Sequence, residues 1–174
     1  PDAWTQDSTG IEGVAEADDL FGFALAAADF DGNGYADLAI GVPYESVGTT
    51  SGEQEDAGAV NVIYGGSNGL DDPGDQIWTQ SSENVMGVAE AGDRFGWALA
   101  AAPIRPQAHT TNDEYIDLAI GIPGRTVGPA SNAGAVNVVF GWSEGVTADG
   151  SRYLSQFIVS GDSPDTNDEF GRAL

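Results

Sequence analysis

The chain repeats itself with a period of about 75 residues, and this repeat restricts the possible folds more than any other feature of the sequence. The segment FGFALAAA at 21–28 returns as FGWALAAA at 95–102, and AGAVNVIYGG at 57–66 returns as AGAVNVVFGW at 133–142. The motifs keep their order in both copies, and DEFGRAL at 168–174 begins a third copy. The sequence therefore predicts two complete structural units side by side, flanked by parts of two others.

Each copy is typical of four short strands. Apolar segments of about five to eight residues alternate with clusters of Gly, Asn, Asp and Pro, and no helical period is sustained. The first two strands of each unit are rich in alanine and almost continuously apolar, which predicts burial on both faces. The outer strands alternate more, and we expect Trp78 and Phe157 to fill the wider outer edge. The expected strands span residues 21–29, 37–42, 59–64, 76–79, 95–103, 117–122, 135–140 and 153–157.

A sheet with small residues at one edge and bulky residues at the other describes a propeller blade. We predict an all-β fold, a β-propeller segment of about two four-stranded blades with partial flanking blades. Two blades alone would leave broad apolar faces uncovered, so closure requires further blades of the same chain or other copies. The expected divisions are the last strand of a preceding blade and a connection at 1–20, one blade at 21–80, a second blade at 81–156, and a connection with the first strand of a following blade at 157–174.

The charge of the chain excludes several classes of partner. Five arginines and no lysine stand against 28 acidic residues, which gives a net charge of −23. Nucleic acids and anionic membranes require cations on the protein surface, so we expect neither partner, and no apolar run is long enough to insert into a bilayer. The absence of cysteine excludes a disulfide framework, a thiol nucleophile and a cysteine-type zinc site. Calcium or a basic partner fits the negative electrostatic field of this chain better.

The segment DFDGNGYAD at 29–37 carries the strongest chemical signal. Its oxygen-bearing groups alternate along the chain, so they converge on one hard cation when the loop curls. An EF-hand loop begins in the same way but requires a bidentate glutamate at its last position, where this chain has Ile40. A mixed set of carboxylate, amide and carbonyl oxygens favours calcium over magnesium, and a metal-free Asx-rich turn is the alternative. The predicted ligands are Asp29, Asp31, Asn33, the main-chain carbonyl of Tyr35, and Asp37.

The matching hairpin of the second unit departs from this pattern. Pro103 replaces the first aspartate, and Arg105 adds a cation that would repel a metal, so we expect no calcium here. His109 is interpreted as an exposed loop residue rather than a catalytic base, because no nucleophile elbow accompanies it. Counting back from Asp117, the residues at the other ligand positions are Tyr115, Asp113, Thr111 and His109.

Acidic residues recur before each FG pair: Glu16, Asp18 and Asp19 before the first, and Glu90 and Asp93 before the second. Pairs of carboxylates arise by chance in so acidic a chain, so they are not evidence of acid/base catalysis. Their recurrence indicates a connection between blades. The carboxylates either accept backbone N–H groups there or solvate the loop.

Together these motifs resemble an FG-GAP repeat of the integrin α-subunit type. FG at 21–22, ALAAADFDGNGYADLAIGVP at 24–43 and AGAVNVIYG at 57–65 match in the first unit, and FG at 95–96 with GIP at 121–123 match in the second. The resemblance implies a seven-bladed propeller, usually extracellular, with calcium held between the first and second strands of some blades. It also implies that loops on the opposite face and the connections between blades engage ligands. The positions concerned are Tyr44, Glu45, Arg125 and the segments 81–94 and 159–169.

These observations lead to a functional hypothesis with two alternatives. The favoured one is a non-catalytic, calcium-binding extracellular or cell-surface segment that serves adhesion, protein interaction or surface assembly, with a protein or glycan as its ligand. The first alternative is the accessory propeller of a secreted enzyme, such as a lipase, lyase or glycosidase, whose catalytic domain lies outside this chain. The second is a structural unit of an extracellular fibre or sheath.

Overall fold

The structure, a computed structural model, describes residues 3–105 and 115–174. Almost all regular structure in these residues is β-strand, and one short helix follows the last strand. The elements are β1 (Ala24–Ala28), β2 (Asp37–Val42), β3 (Val47–Thr49), β4 (Gly52–Gln54), β5 (Ala59–Gly66), β6 (Gly69–Trp78), β7 (Leu99–Ala102), β8 (Asp117–Ile122), β9 (Ala135–Trp142), β10 (Gly145–Leu154) and α1 (Gln156–Ser160).

Two antiparallel four-stranded sheets carry the two copies of the repeat. The first sheet has the order β1-β2-β5-β6, and the second has the equivalent order β7-β8-β9-β10. Equivalent residues pair in the same register: Ala26 lies opposite Ala39 in the first sheet, and Ala100 lies opposite Ala119 in the second. The prediction of an all-β fold built from four-stranded units is therefore confirmed, and the sheets have the strand order expected of propeller blades.

The main hydrophobic core lies between the two sheets. Side chains alternate between the faces of a strand, so Val60, Val62 and Tyr64 of β5 share one face. These three side chains are buried, each being at most 5% exposed. Burying each one stabilises the fold by about 1.5–3 kcal/mol, and neither sheet can bury this surface alone. The buried residues of the second sheet in the same cluster are Leu118, Ile120, Ile122, Ala135, Val139, Val146 and Ala148.

The FG pair of the second repeat packs on the sheet of the first. The Phe95 N–H donates to the carbonyl of Ala57 at 2.9 Å, and the Phe95 side chain is fully buried in the core. Gly96 lies so close to β2 that a Cβ built on Gly41 would overlap the carbonyl oxygen of Gly96. Glycine at position 41 is therefore what allows the two repeats to approach this closely.

The third, partial copy continues the same arrangement. The Phe170 N–H donates to the carbonyl of Ala133 at 2.9 Å, and a Cβ built on Gly121 would overlap the carbonyl oxygen of Gly171. Phe170 also packs on the far face of the second sheet, against a small cluster formed by Ala119, Val136, Val138 and Phe140. The end of the chain thus covers one face of the second sheet in the way that the second repeat covers the first.

The predicted burial of the first two strands of each unit is confirmed for β2 and β8 and is wrong for β1 and β7. Leu25 of β1 is 59% exposed, whereas β5 is buried along nearly its whole length. The reason is topological, because β1 and β7 lie at the edges of their sheets while β2, β5, β8 and β9 lie in the middle. Runs of small apolar residues in β1 and β7 allow close packing at an edge without requiring burial on both faces.

The last predicted strand, residues 153–157, is also wrongly placed. β10 ends at Leu154 and α1 follows, so Phe157 lies in the helix and is 58% exposed. The Val159 N–H donates to the carbonyl of Ser155 at 3.1 Å, and this local helical bond replaces pairing with the neighbouring strand. Trp78 does pack, half-buried, against the main core.

The β3–β4 hairpin was not predicted. It lies inside the polar loop at 44–56, where Val47 pairs with Gln54 and packs against Ala57 and Ala89. A three-residue strand has too few positions for its alternation to be recognised in the sequence. Among the residues that the structure describes, no helix is long and apolar enough to cross a membrane.

The recurring acidic residues before each FG pair have a structural partner. Asp19 accepts the N–H of Glu16 at 2.6 Å, and Asp93 accepts the N–H of Glu90 at 2.9 Å. Both aspartates are buried, and Arg125 adds an ion pair to Asp93 at 2.9 Å. Of the two alternatives, these carboxylates accept backbone N–H groups, and they hold the turn that leads into the next blade.

We expect Gly41→Ala to lower the free energy of unfolding by about 3 kcal/mol, because the new methyl group would overlap main-chain atoms that cannot rotate away. Gly48→Ala is the matched control. Apart from Gly48 and its two chain neighbours, no described residue has an atom within 4 Å of a Cβ built there, and the expected change is within about 0.5 kcal/mol. Urea denaturation of both variants measures the difference, and equal stabilities would contradict this account of the packing.

Candidate metal centre

The hairpin between β1 and β2 brings three carboxylates together. Asp29 and Asp31 lie in the loop, and Asp37 is the first residue of β2. One carboxylate oxygen of each lies within 4.8 Å of the other two. Three of the five predicted ligands therefore share one site in the fold.

The loop is shaped by hydrogen bonds from its own backbone. The Asn33 N–H donates to Oδ1 of Asp31 at 3.0 Å, and the Gly34 N–H donates to Oδ2 of Asp29 at 2.8 Å. Gly32 and Gly34 have φ values of 74° and 88°, a left-handed conformation that glycine adopts without strain. The sequence Gly-Asn-Gly thus curls the chain so that the acidic side chains face one point.

Asp37 is the buried member of the group, with 1% of its surface exposed. Its Oδ2 accepts the N–H of Phe30 at 2.6 Å, and its Oδ1 accepts the N–H of Gly65 at 2.8 Å. Burial raises the pKa of Asp37 to about 6, and the nearby charges of Asp31 and Asp29 act in the same direction. The two N–H donors oppose this increase without cancelling it. A cation at the site would favour the ionised form.

The residues of this site fit a hard divalent cation. Oδ1 of Asp29 is buried and has no hydrogen-bond partner within the described part of the chain. An unsatisfied buried polar atom costs about 1–3 kcal/mol, and more when it is charged. Residues 1–93 contain no lysine or arginine, so no side chain from that part of the chain can supply the missing positive charge. Oxygen ligands in a flexible loop are the donors that calcium prefers.

The roles of Asn33 and Tyr35 stay predictions. Nδ2 of Asn33 donates to Oδ2 of Asp31 at 3.0 Å and to the carbonyl of Gly65 at 2.9 Å. Oδ1 of Asn33 accepts the N–H of Tyr35 at 2.8 Å, and its second lone pair leaves it able to ligate a metal. These bonds hold Asn33 beside the carboxylates.

The same hairpin is attached to the second sheet. Phe30 is fully buried in the main core. The Ile116 N–H donates to the carbonyl of Asp29, and the Trp142 N–H donates to the carbonyl of Phe30, both at 3.1 Å. Sequence reasoning missed Phe30, although an aromatic residue between two aspartates is a visible signal for an anchor. The loop that gathers the carboxylates is thus also a joint between blades.

The second hairpin has an arginine where the first gathers acids. Asp117, the counterpart of Asp37, accepts the N–H groups of Ile104 at 2.9 Å and Arg105 at 2.8 Å. Nε of Arg105 lies 3.2 Å from Oδ1 of Asp117, and its guanidinium group lies 4.8 Å from the ring centre of Phe140. Arg105 therefore supplies a cation to the carboxylate. His109, Thr111 and Asp113 lie outside the described residues, and the absence of calcium from this hairpin stays a prediction.

The single residues suggested for ligand binding contact other residues of the protein, whereas the segments 81–94 and 159–169 are largely exposed and their role stays a prediction. Arg125 pairs with Asp93 and with Glu90, the latter at 3.1 Å, and its side chain is 13% exposed. Glu45 accepts a hydrogen bond from Nε2 of Gln6 at 2.5 Å.

Tyr44 packs edge-on against Trp97 with ring centres 6.2 Å apart, and the Arg94 guanidinium group lies 5.5 Å from each ring centre. The geometry assigns these residues to contacts between blades.

Comparison with known proteins agrees with the repeat that the sequence and the fold show. The FG-GAP repeat family matches residues 21–63, which include the three aspartates. Phosphatidylinositol-glycan-specific phospholipase D of Rattus norvegicus is 31% identical over 124 residues, and that of Homo sapiens is also 31% identical over 124 residues. Each alignment covers 71% of this chain, and the chain spans only 13–14% of the length of these relatives. Residues 21–63 therefore belong to the FG-GAP repeat family, and the internal copies carry the same motifs further along the chain.

Proposed function

We propose that this chain is a calcium-stabilised, non-catalytic propeller segment that serves as the accessory part of a larger secreted enzyme. The carboxylate cluster of the β1–β2 hairpin, with the unpartnered oxygen of Asp29 at its edge, carries the metal part of this proposal. The similarity to a phospholipase D over a small share of its length supports the accessory part. Extracellular modules bind calcium at about 10⁻⁴ to 10⁻³ M, which fits a site assembled from a single loop.

Calcium would act here on structure rather than on a reaction. Three carboxylates within about 5 Å of one another repel by about 1–4 kcal/mol per pair at effective dielectrics between those of water and a protein surface. A divalent cation reverses this repulsion and fixes the hairpin that joins the two sheets. Magnesium fits less well, because it requires near-octahedral geometry and retains water. The ligand set we propose is Asp29, Asp31, Asn33, the carbonyl of Tyr35, and Asp37.

A non-catalytic role is supported by how the buried acids are used. Asp19, Asp37, Asp93 and Asp117 each accept backbone N–H groups that hold a turn or a hairpin. An acid that is already committed to such bonds is a poor proton donor or acceptor for a substrate. Adhesion or surface assembly is the second candidate, and the covering of each repeat by the next supports it because the same contacts allow further units to be added.

We expect Asp31→Ala to abolish the calcium-dependent part of the melting temperature. Saturating calcium should stabilise the wild-type chain by about 1.5–3 kcal/mol, which corresponds to an increase of about 5 °C for a chain of this size. Glu53→Ala is the matched control, since it removes the same charge from the exposed β3–β4 hairpin. Thermal melting with calcium and with chelator measures both variants. A calcium response in Asp31→Ala equal to that of Glu53→Ala would contradict the assigned site.

The stabilising effect of calcium should depend on pH. Because burial raises the pKa of Asp37 from 3.8 to about 6, folding retains a proton there that the unfolded chain releases. This contribution to the stability of the metal-free protein is complete below about pH 4 and is lost as the pH rises through about 6. A protonated carboxyl group does not ligate calcium, so the calcium-induced shift should be small near about pH 5 and full near about pH 7.5. Melting curves at both values test this, and a shift that is the same at both would contradict it.

A further inference from the structure

A cavity of about 430 Å³ lies where the outer strands of the two sheets meet. Its volume falls within the range of about 300–1,000 Å³ that is typical of small-ligand clefts. Gln76 comes from β6 of the first sheet, and the other lining groups come from the second hairpin, the end of β9, the turn after it and the start of β10. The polar and aromatic side chains that line it are Gln76, Arg105, Trp142, Glu144, Thr147 and Asp149.

Tyr64 joins the two walls of this cavity. Its hydroxyl group accepts the N–H of Val146 at 2.6 Å and donates to Oε1 of Gln76 at 2.7 Å. A Cβ built on Gly145 would overlap this hydroxyl group, so glycine at 145 makes the contact possible. The cavity is therefore built by specific contacts between the repeats and is not a gap between loose surfaces.

The same contacts decide which end of Gln76 can reach a ligand. Oε1 of Gln76 accepts from Tyr64 and also from Nε1 of Trp78 at 3.2 Å. Because Oε1 is occupied, only the Nε2 amide group of Gln76 is left for a ligand. This group can donate two hydrogen bonds. Glu144 and Asp149 also line the cavity and supply carboxylate acceptors, although Oδ1 of Asp149 already accepts from Nδ2 of Asn84 at 3.0 Å. Donors and acceptors thus lie around one small space, as recognition of hydroxyl groups requires.

Trp142 gives the cavity an aromatic wall. It is 53% exposed, and its ring stacks on Tyr115 with centres 6.0 Å apart and planes inclined by 29°. The bond from its N–H to the carbonyl of Phe30 fixes the backbone that carries it. The first repeat has Gly66 at the equivalent position, so the aromatic wall belongs to the second repeat alone. Trp142 is fixed by these contacts and is half-exposed beside polar groups. It can therefore pack against the apolar face of a ligand whose other groups are polar.

The charges of the cavity favour a neutral ligand. The guanidinium group of Arg105 is balanced by Asp117, so it does not attract a further anion, and Glu144 and Asp149 repel one. An ammonium group offers only donors, so it could not accept a hydrogen bond from Nε2 of Gln76. A pyranose unit combines an apolar C–H face for the tryptophan with hydroxyl groups for Gln76 and the carboxylates. We propose that this cavity binds a neutral hexose unit of a glycan, a function that does not depend on the metal site.

The test uses the whole 174-residue chain, labelled with ¹⁵N, and methyl glycosides of glucose, galactose, mannose and N-acetylglucosamine as probes. Glucosamine and N-acetylneuraminic acid are the cationic and anionic comparisons. At about 100 mM sugar, a site with a dissociation constant near 1 mM is saturated. We expect at least one neutral glycoside to shift the indole N–H resonance of Trp142 with saturation, while the charged sugars do not.

Two variants keep the proposal falsifiable. Trp142→Ala and Glu144→Gln should each weaken binding of that glycoside at least about tenfold, and Glu144→Gln removes only a charge from an exposed side chain. Phe157→Ala, which removes an equally exposed aromatic ring from α1, should leave affinity unchanged. No shift with any neutral glycoside, tighter binding of a charged sugar, or unchanged affinity in Glu144→Gln would overturn the proposal. A chelator control separates this result from failure of the calcium site, which melting curves report independently.

Discussion

A buried carboxylate at the start of the second strand ties each sheet to the hairpin before it. Asp37 in the first sheet and Asp117 in the second are each 1% exposed, and each accepts N–H groups from the hairpin and from the third long strand of its sheet. Burying a carboxylate is unfavourable unless its charge is balanced. The first hairpin, held in this way, also contacts the second sheet, so the packing of these two repeats depends on how its charge is balanced.

The two repeats balance that charge differently. In the second sheet, Arg105 pairs with the carboxylate, and the cation is part of the chain. In the first sheet, Asp29 and Asp31 add two more acids, in a part of the chain that has no basic residue before Arg94. The turns that connect the blades differ in the same way. In the second repeat, Arg125 pairs with the buried Asp93, and the equivalent position in the first repeat is Glu45. The second blade therefore supplies a cation to its buried carboxylate from its own chain, whereas the first gathers three carboxylates that could hold a metal ion.

Much of this site could be inferred from the residues that form it. Alternating oxygens with glycines between them converge in any loop tight enough to join two paired strands, which is why Asp29, Asp31 and Asp37 meet as expected. The interpretation of Arg105 was incomplete because its partner is distant in the sequence. Its cation was expected only to repel a metal, but its partner, Asp117, is brought to it by the pairing of β7 with β8. The burial of β1 was wrong because an apolar run does not reveal whether its strand lies at an edge or in the middle of a sheet.

The sequence by itself determined the repeat, the four-stranded units and the acidic loop, because each of these is a pattern of neighbouring residues. Only the tertiary structure decided that Phe30 anchors the loop in the second sheet and that Trp142 lines a cavity with Gln76. Tyr64 and Val146, which join the walls of that cavity, are 82 residues apart in the chain. Contacts over such separations depend on strand register and on the close approach of glycine backbones, and no local pattern of residues encodes either.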